Sequence, residues 1–319
     1  MPQIITPSVL NAMFEGYNVL FNKGFAGVSP QYASIAMVMP SSASAENYGW
    51  LGQVPRIREW IGDRDIKTLN AYGMRIVNRQ FESTVAVPRP QIEDDTYGVF
   101  APVFERMGRS VAQFPDEMCF PLLPGGWSGL CYDGQNFFDQ HPVLDALGKI
   151  FFVQNFTGSA PSSVTQPGTW YLVDSTQGFK PLVWQTRRPF EFVAKTNLQN
   201  SDIVFERNEF VYGVDGRANA GYGLWQTISA STLPLTRTNF RTLYEQMVGM
   251  KADYGRPLGI VPNEIWVGPS MHATARDLFE SDFLAVDGVP GEAALASGAG
   301  VISNTDKHLV KVRMTPWLP

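Results

Sequence analysis

Residues 92–123 read IEDDTYGVFAPVFERMGRSVAQFPDEMCFPLL, and the rest of the chain is organised around them. Apolar side chains recur there at steps of three and four, at Phe100, Val103, Phe104, Met107, Val111, Phe114 and Met118. This spacing predicts one apolar stripe along a long helix. The acidic run 93–95 suits the positive end of a helix dipole, with Asp95 or Thr96 as the cap. Pro115 predicts a kink or the start of a second segment.

The composition indicates a large core or extensive contact with partners. The chain has 319 residues, which is enough for a large core and usually for two domains. Hydrophobic residues make up 44% and charged residues 17%, whereas about a quarter charged is usual for a soluble protein. Burial of the surface against partners and a large monomeric core both explain this charge fraction.

Charge, cysteine content and hydropathy exclude several classes of protein. The net charge is -5 and the pI is near 5.3, and no Lys/Arg run occurs, which argues against a grip on nucleic-acid phosphates. Cys119 and Cys131 are expected to be free buried thiols. No apolar run approaches the roughly 18 residues of a membrane span, and the N-terminus lacks signal-peptide features. We therefore expect a cytoplasmic product without a targeting segment.

The N-terminal third begins with a helix. Thr6 is expected to cap it and Pro7 to occupy its first position. The apolar residues expected to be buried by this helix are Leu10, Met13, Phe14, Tyr17 and Phe21. The small-residue stretch 24–44 is poor in charge and weak in period, and it predicts an extended arm rather than a packed element.

Residues 47–95 combine aromatic and charged side chains in an unusual density. Two strands are predicted at 74–77 and 81–87, and we interpret them as a hairpin. Trp and Arg supply contact area and forked hydrogen bonds, and opposite charges set register, as an interface requires. A hairpin folded onto its own domain is an equally open alternative.

Later segments alternate between strand and helix blocks. Strands are predicted at 170–173, 181–185, 190–194, 203–206, 209–213 and 221–229, after a Ser/Pro/Gly loop at 158–168. Helices are predicted around 240–248 and 271–279, with strands at 265–267 and 308–314. The class is α+β, since strand and helix blocks replace regular βαβ alternation.

Recognisable catalytic patterns are scarce. Asp133, Asp139 and His141 in YDGQNFFDQH offer three possible metal ligands in one loop, and a metal-dependent hydrolase is the alternative function built on them. Asp and His beside Gly and Pro are more often turn formers. The sequence GWSGL lacks the second glycine of a nucleophile elbow. We predict no catalytic residue, metal or cofactor, and we favour binding or building over catalysis.

Six ordered blocks carry a family resemblance. They are GWLGQVPRIREWIGDR (49–64), NRQFESTVAVPRPQIEDDTYGVFAPVFERMGRSVAQFPDE (78–117), CYDGQNFFDQHP (131–142), WYLVDSTQGFKPLVWQTRRPFEF (170–192), YGVDGRANAGYGLWQ (212–226) and KADYGRPLGIVPNEIWVGPS (251–270). Together with the closing TPWLP, they resemble the major head (capsid) protein family of Mu-like tailed phages and prophages. The resemblance covers nearly the whole chain.

The resemblance implies an HK97-like capsid fold. In this fold an N-terminal arm and an extended hairpin, the E-loop, precede a peripheral domain with a long spine helix and an axial domain at the capsomer centre. The implied divisions are residues 1–47 for the arm, 48–90 for the E-loop, 91–233 for the spine helix and peripheral domain, and 234–319 for the axial domain. The chain is allowed to cross between domains more than once.

The implied function is assembly. Hexamers and pentamers of one chain would form the icosahedral head that encloses phage DNA without sequence-specific binding. Assembly would take place in the bacterial host cytoplasm, and the product is the virion capsid. Because a helix begins so near residue 1, scaffold and maturation protease are expected to be separate proteins, with portal and decoration proteins as further partners. A non-viral compartment shell of the same fold is a second alternative.

The residue types then suggest which side chains make assembly contacts. The expected contacts at the hairpin base are Trp50, Arg56, Arg58, Glu59, Trp60, Asp63 and Arg64. Arg79 and Glu82 are expected to follow near the hairpin tip. The resemblance itself does not assign these roles, and each residue could instead make an internal contact.

Overall fold

The computed structural model describes residues 6–48, 73–93, 98–145, 147–197, 202–252, 255–285 and 301–319. Within these ranges the helices are α1 (Pro7–Ala26), α2 (Tyr32–Ile35), α3 (Arg89–Glu93), α4 (Ala101–Cys119), α5 (Leu122–Gly125), α6 (Asp202–Arg207), α7 (Arg237–Val248) and α8 (His272–Glu280). The strands are β1 (Ala36–Pro40), β2 (Ala45–Tyr48), β3 (Met74–Val77), β4 (Arg79–Pro88), β5 (Gln140–Leu144), β6 (Ile150–Gln154), β7 (Phe156–Thr157), β8 (Trp170–Val173), β9 (Leu182–Lys195), β10 (Glu209–Tyr222), β11 (Ile228–Ser231), β12 (Glu264–Val267), β13 (Phe283–Ala285), β14 (Val301–Ser303) and β15 (Lys311–Met314).

Helix α1 confirms the prediction for the N-terminus. The Thr6 hydroxyl accepts a hydrogen bond from the Val9 amide at 3.4 Å, and Pro7 occupies the first turn, where a missing N–H costs nothing. Leu10, Tyr17 and Phe21 are buried at steps of seven and four. The amphipathic pattern therefore sets both the start of the helix and its packed face.

Helix α4 confirms the predicted spine helix but begins later than expected. It starts at Ala101, and Phe100 at its N-cap makes no side-chain capping bond. The prediction that the acidic run 93–95 stands at its start is wrong, because Glu93 belongs to α3. Pro115 lies inside the helix, which continues to Cys119 without starting a second segment.

The first sheet has four strands in the order β1-β9-β10-β4. Strands β9 and β10 form a long antiparallel pair, β4 pairs antiparallel with β10, and β1 runs parallel to β9. Helices α1 and α4 cover one face through aromatic side chains. The Tyr17 and Phe104 ring centroids are 4.1 Å apart, and Phe104 lies edge-on to Tyr212 at 5.2 Å.

Strand β9 joins two segments that were predicted as separate strands. Pro189, which has no N–H for the ladder, lies between the two segments predicted at 181–185 and 190–194. The structure instead has one strand, and the register with β10 shifts near Arg217, so that Pro189 has no partner residue in the ladder. A β-bulge absorbs the proline without ending the strand.

Three further expectations are corrected by pairing and packing. The segments 74–77 and 81–87 are strands, but they do not form a hairpin with each other, since β3 pairs with β2 and β4 pairs with β10. The stretch 24–44 is not an unpacked arm, because it contains the last turn of α1, the short helix α2 and the sheet strand β1. The predicted strand at 203–206 is part of helix α6.

The second sheet has five strands in the order β15-β12-β8-β11-β7. Strands β8, β11 and β12 are buried at every residue, and Trp266 is fully buried. Helices α7 and α8 contribute Phe240 and Phe279, whose ring centroids are 4.6 Å apart. Both helices and the strand at 264–267 confirm the predicted pattern of the last third.

The structure also bears on three further expectations. Cys119 and Cys131 are buried free thiols, as predicted. Over the described ranges, no helix has the length and apolar character that crossing a bilayer would need. Helices and mainly antiparallel strands occur in blocks, which confirms the α+β class.

Candidate assembly surfaces

The predicted hairpin-base contacts fall on a part of the chain without a structural description. Trp50, Arg56, Arg58, Glu59, Trp60, Asp63 and Arg64 all lie outside the described residues. Their role at an interface therefore stays a prediction. The structure does place Arg79 and Glu82, both on the edge strand β4 of the first sheet.

Arg79 and Glu82 are exposed, and their contacts with the other described residues are light. The guanidinium carbon of Arg79 lies 5.3 Å from the centroid of the Phe81 ring. The Thr84 hydroxyl donates to the Glu82 carboxylate. Because neither side chain is needed to fill the core, both remain available to a neighbour.

The face of the first sheet opposite α1 and α4 carries charges in rows. Glu82, Asp215 and Glu191 lie directly across from one another on β4, β10 and β9. Arg217 and Arg188 form the next row, and Arg188 makes an ion pair with Asp215. Like charges opposite one another in a sheet are unfavourable, so a basic group from a partner would be stabilised beside the acidic row.

Two glycines set the distance between α1 and α4. A Cβ atom on Gly24 would lie 1.9 Å from the Glu105 carbonyl oxygen, and one on Gly108 would lie 2.0 Å from the Phe21 carbonyl oxygen. Any side chain at either position would force the helices apart. The helical N-terminal segment is thus held tightly against the spine helix, with an ion pair between Lys23 and Glu105 at 3.3 Å beside the contact.

A buried carboxylate of α4 fixes the chain where it leaves α1. Asp116 accepts hydrogen bonds from the Gln31 amide at 2.9 Å and from the Tyr32 amide at 2.6 Å, which caps α2. Burial raises the pKa of Asp116, although the two amide donors oppose the rise. At the other end of α2, the Lys180 ammonium donates to the Ala33 and Ser34 carbonyl oxygens.

These anchor residues were missed in the sequence, although a signal was present. Gly108 and Asp116 fall on the buried stripe of α4 between Phe104 and Cys119. A glycine on such a stripe marks a close helix crossing, and a carboxylate there must find hydrogen-bond donors. The donors that Asp116 finds depend on the conformation of residues 27–35, and the sequence of that segment shows no pattern that predicts this conformation.

The three possible metal ligands of the loop at 133–141 do not converge. The buried His141 ring places Nδ1 2.6 Å from Asp133 Oδ2 and Nε2 3.3 Å from the Phe137 carbonyl oxygen, and it stacks on Trp225 at 3.9 Å. Asp139 instead accepts from the Asn136 side chain and the Gln140 amide. Among the described residues, no group of three or more acidic, His or Cys side chains could hold a metal ion.

Comparison with known proteins decides between a shell subunit and a hydrolase. Residues 10–318 match the protein family described as the Mu-like prophage major head subunit gpT. The chain belongs to this family. The resemblance inferred from the six sequence blocks is therefore confirmed, and with it the assignment to a structural protein of the phage head rather than an enzyme. The hydrolase alternative is wrong, because the relatives are capsid proteins.

Individual relatives agree with the family in sequence and in fold. The major capsid protein of Escherichia phage Mu is 39% identical over 286 residues, which are 88% of this chain and 92% of the relative. The procapsid subunit of bacteriophage JBD30 is 39% identical with a TM-score of 0.81, over 98% of this chain and 100% of that one. The subunit of the JBD30 capsid is 32% identical with a TM-score of 0.73, over 99% and 100%.

The expected HK97-like capsid fold is confirmed by these structures. This head subunit therefore uses its sheets and spine helix to build a shell, and its functional site is a set of surfaces rather than a pocket. Among the described residues, the charged face of the first sheet and the edge strands of both sheets remain open in the single chain.

Proposed function

We propose that the chain assembles with copies of itself into hexamers and pentamers, and that these close into the icosahedral head that encloses phage DNA. The observation that carries the proposal is the similarity to the JBD30 procapsid subunit over 98% of this chain, in fold and at 39% identity. A net charge of -5 supports a wall that encloses DNA without gripping its phosphates.

We further propose that the two sheets belong to different domains of the subunit. The first sheet with α1 and α4 would form the peripheral domain, and the second sheet with α7 and α8 would form the axial domain at the capsomer centre. The second sheet takes β7, β8 and β11 from before residue 234 and β12 and β15 from after it. We therefore propose that the axial domain includes strands from both sides of the boundary expected at residue 234, so that all five strands of this sheet belong to one domain.

The remaining roles rest on the family resemblance. The resemblance implies residues 1–47 for the N-terminal arm and residues 48–90 for the E-loop, but α1 and β1 in the first range and β4 in the second belong to the first sheet and its covering helices. We therefore propose the arm and E-loop roles only for the parts of these ranges outside those elements. We propose scaffold, maturation protease, portal and decoration proteins as the further partners of assembly, as the family resemblance implies.

Assembly is tested by light scattering and electron microscopy on the full chain, expressed alone and together with the phage scaffold. We expect rings, sheets or closed shells in at least one condition, with the scaffold favouring closed shells. A monomer that persists at high concentration in both conditions would overturn the proposal.

The predicted contact residues are tested by charge removal. The double variant Arg79→Ala and Glu82→Ala should lower the free energy of unfolding by less than about 0.5 kcal/mol, since both side chains are exposed. Shell yield should fall at least tenfold, and Trp60→Ala with Arg58→Ala should act in the same way. Ser83→Ala on the same strand is the matched control. If a variant gives a normal yield of shells, the residues substituted in it do not contribute to the interface.

A further inference from the structure

Two arginines of α7 share a single carboxylate. Arg237 Nε donates to Asp306 Oδ2 at 2.6 Å, and Arg241 Nη2 donates to Asp306 Oδ1 at 2.8 Å. The Thr305 hydroxyl accepts from the Nη2 group of each arginine. Two positive charges therefore meet one negative charge at this contact. We call Arg237 and Arg241 the arginine pair.

The carboxylate that holds the arginine pair is fixed in place. The Asp306 side chain is only 6% exposed, and the Asp306 amide donates to the Asn304 side chain at 3.0 Å. The Asn304 side chain in turn donates to the Leu278 and Ser281 carbonyl oxygens at the C-terminal end of α8. Because both guanidinium groups rest on this anchored turn, little ordering entropy is lost when a ligand binds them.

Each guanidinium group of the arginine pair keeps unused hydrogen-bond donors. A guanidinium group carries five N–H donors, and the contacts with Thr305 and Asp306 use only Nε and Nη2. The Nη1 groups of Arg237 and Arg241 donate to no residue of the described ranges, and the two side chains are 27% and 46% exposed. Glu245, one turn further along α7, makes no ion pair with Arg241 within the described chain. The arginine pair is therefore open to a second oxyanion, such as a carboxylate.

Two carboxylates on the open face of the first sheet lack a basic partner. Glu82, Asp215 and Glu191, the acidic row, lie across from one another on β4, β10 and β9. Arg188 pairs with Asp215, whereas Glu82 and Glu191 are exposed and make no ion pair with a described residue. Arg217, in the next row, pairs with neither of them. Both carboxylates are therefore available to a basic group of a partner.

The arginine pair and the acidic row complement each other in charge but belong to different parts of the chain. Among the described residues, no ion pair joins the two groups within one copy. Rings of identical subunits use heterologous contacts, in which one surface of each copy meets a different surface of the next copy. Opposite charges on the two surfaces steer the encounter and set the register. A second copy of this chain thus carries the partner that each group lacks.

We propose that the arginine pair of one copy binds the acidic row of a neighbouring copy, with Glu82 and Glu191 accepting from its unused N–H donors. The inference rests on the proposed assembly of the chain with copies of itself, and it names two groups that meet between neighbouring subunits. Hydrogen bonds between a guanidinium group and a carboxylate are about twice as strong as those between neutral groups. The contact therefore contributes to the yield of closed shells.

Charge reversal tests the contact during assembly of the full chain with scaffold. Arg241→Glu, Glu82→Arg and Glu191→Arg should each lower the yield of closed shells by about tenfold or more, because like charges would face each other. Arg241→Glu is then combined with Glu82→Arg or with Glu191→Arg in one chain. At least one combination should restore the yield to within about threefold of the unaltered chain, since the two charges are again opposite. If neither combination restores the yield, the inference is overturned.

Two exposed residues outside both groups provide matched controls. Arg276→Glu on α8 and Glu117→Arg on α4 should leave the yield of shells within about twofold of the unaltered chain. Thermal unfolding of the unassembled variants checks that each remains folded. Arg241→Lys keeps a positive charge beside Asp306 but has no Nη groups, so it should lower the yield of shells even if Arg241→Glu does not fold.

The outcomes separate the inference from the function on which it rests. If the unaltered chain forms no shells even with scaffold, the proposed assembly itself fails. If the unaltered chain and the folded single variants form shells with equal yield, assembly stands and the contact is wrong. If Arg241→Glu lowers only the amount of DNA retained in the shells, the arginine pair binds phosphate rather than a neighbouring copy, and the inference is again wrong.

Discussion

The two sheets of this subunit differ in how their strands are covered. In the second sheet, β8, β11 and β12 are buried on both faces. In the first sheet, β4 and the outer half of β9 have one face against α1 and α4 and a charged face toward solvent. The second sheet thus forms the more deeply buried core, whereas the first sheet has one face open to solvent and available to neighbours.

The largest effect is expected from a cavity in the second sheet. Trp266 is fully buried, lies 5.1 Å from the Phe120 ring and donates from Nε1 to Glu264 at 2.9 Å. Trp266→Ala should therefore lower the free energy of unfolding by about 3–5 kcal/mol in urea titrations. Phe192→Ala, at a half-buried aromatic of the first sheet, should cost less. An equal or larger loss for Phe192→Ala would contradict the comparison.

A smaller effect is expected at the helix crossing that covers the first sheet. Gly108→Ala should lower the free energy of unfolding by about 1–3 kcal/mol, because its Cβ would overlap the Phe21 carbonyl oxygen. Limited proteolysis should then cut α1 earlier. Gly16→Ala is the control, since nothing lies within 4 Å of its Cβ and alanine favours a helix by up to about 1 kcal/mol. Destabilisation by both variants alike would mean that helix contact is not the cause.

The smallest effect is a difference in pH dependence between two buried carboxyl groups. Burial raises the pKa of Asp116 in α4. At Asp306, burial also acts to raise the pKa, but hydrogen bonds and charge from Arg241 and Arg237 outweigh it, and the pKa is lowered. Asp306 therefore adds stability above its unfolded pKa, which is lost as the pH falls through its folded pKa. Asp116 instead adds stability as the pH falls, because its raised pKa means that the folded protein binds this proton more tightly than the unfolded chain does.

The measurement is the thermal midpoint between about pH 3 and pH 6, a range that brackets ordinary Asp values. Relative to the unaltered chain, Asp306→Asn should lose less stability as the pH falls, and Asp116→Asn should lose more. Glu117→Gln, an exposed neighbour on α4, is the control. If both Asp variants lose more stability than the unaltered chain as the pH falls, or both lose less, the two carboxyl groups do not differ as described.

Local pattern was sufficient wherever an element is set by its own residues. Helix α1 starts at the predicted Thr6 cap, and α4, α7 and α8 form where helices were predicted. Helix α4 buries Phe104, Met107 and Val111 of its predicted stripe, whereas Val103 is exposed. The short apolar run at 203–206 was assigned to the wrong class, because four apolar or charged residues fit a strand or a helix equally well. The assembly residues at the hairpin base stay predictions from residue type alone.

The sequence by itself determined the family, the class and the long helices, because motifs, periodicity and caps are written in neighbouring residues. Only the tertiary structure decided which strands pair and where the helices touch. Strand β1 joins β9 across more than a hundred residues, and Gly24 of α1 and Gly108 of α4 each lie against the backbone of the opposite helix. Every strand offers the same backbone N–H and C=O groups for pairing. The packing of the whole chain, and not the strand's own sequence, therefore determines which strands pair.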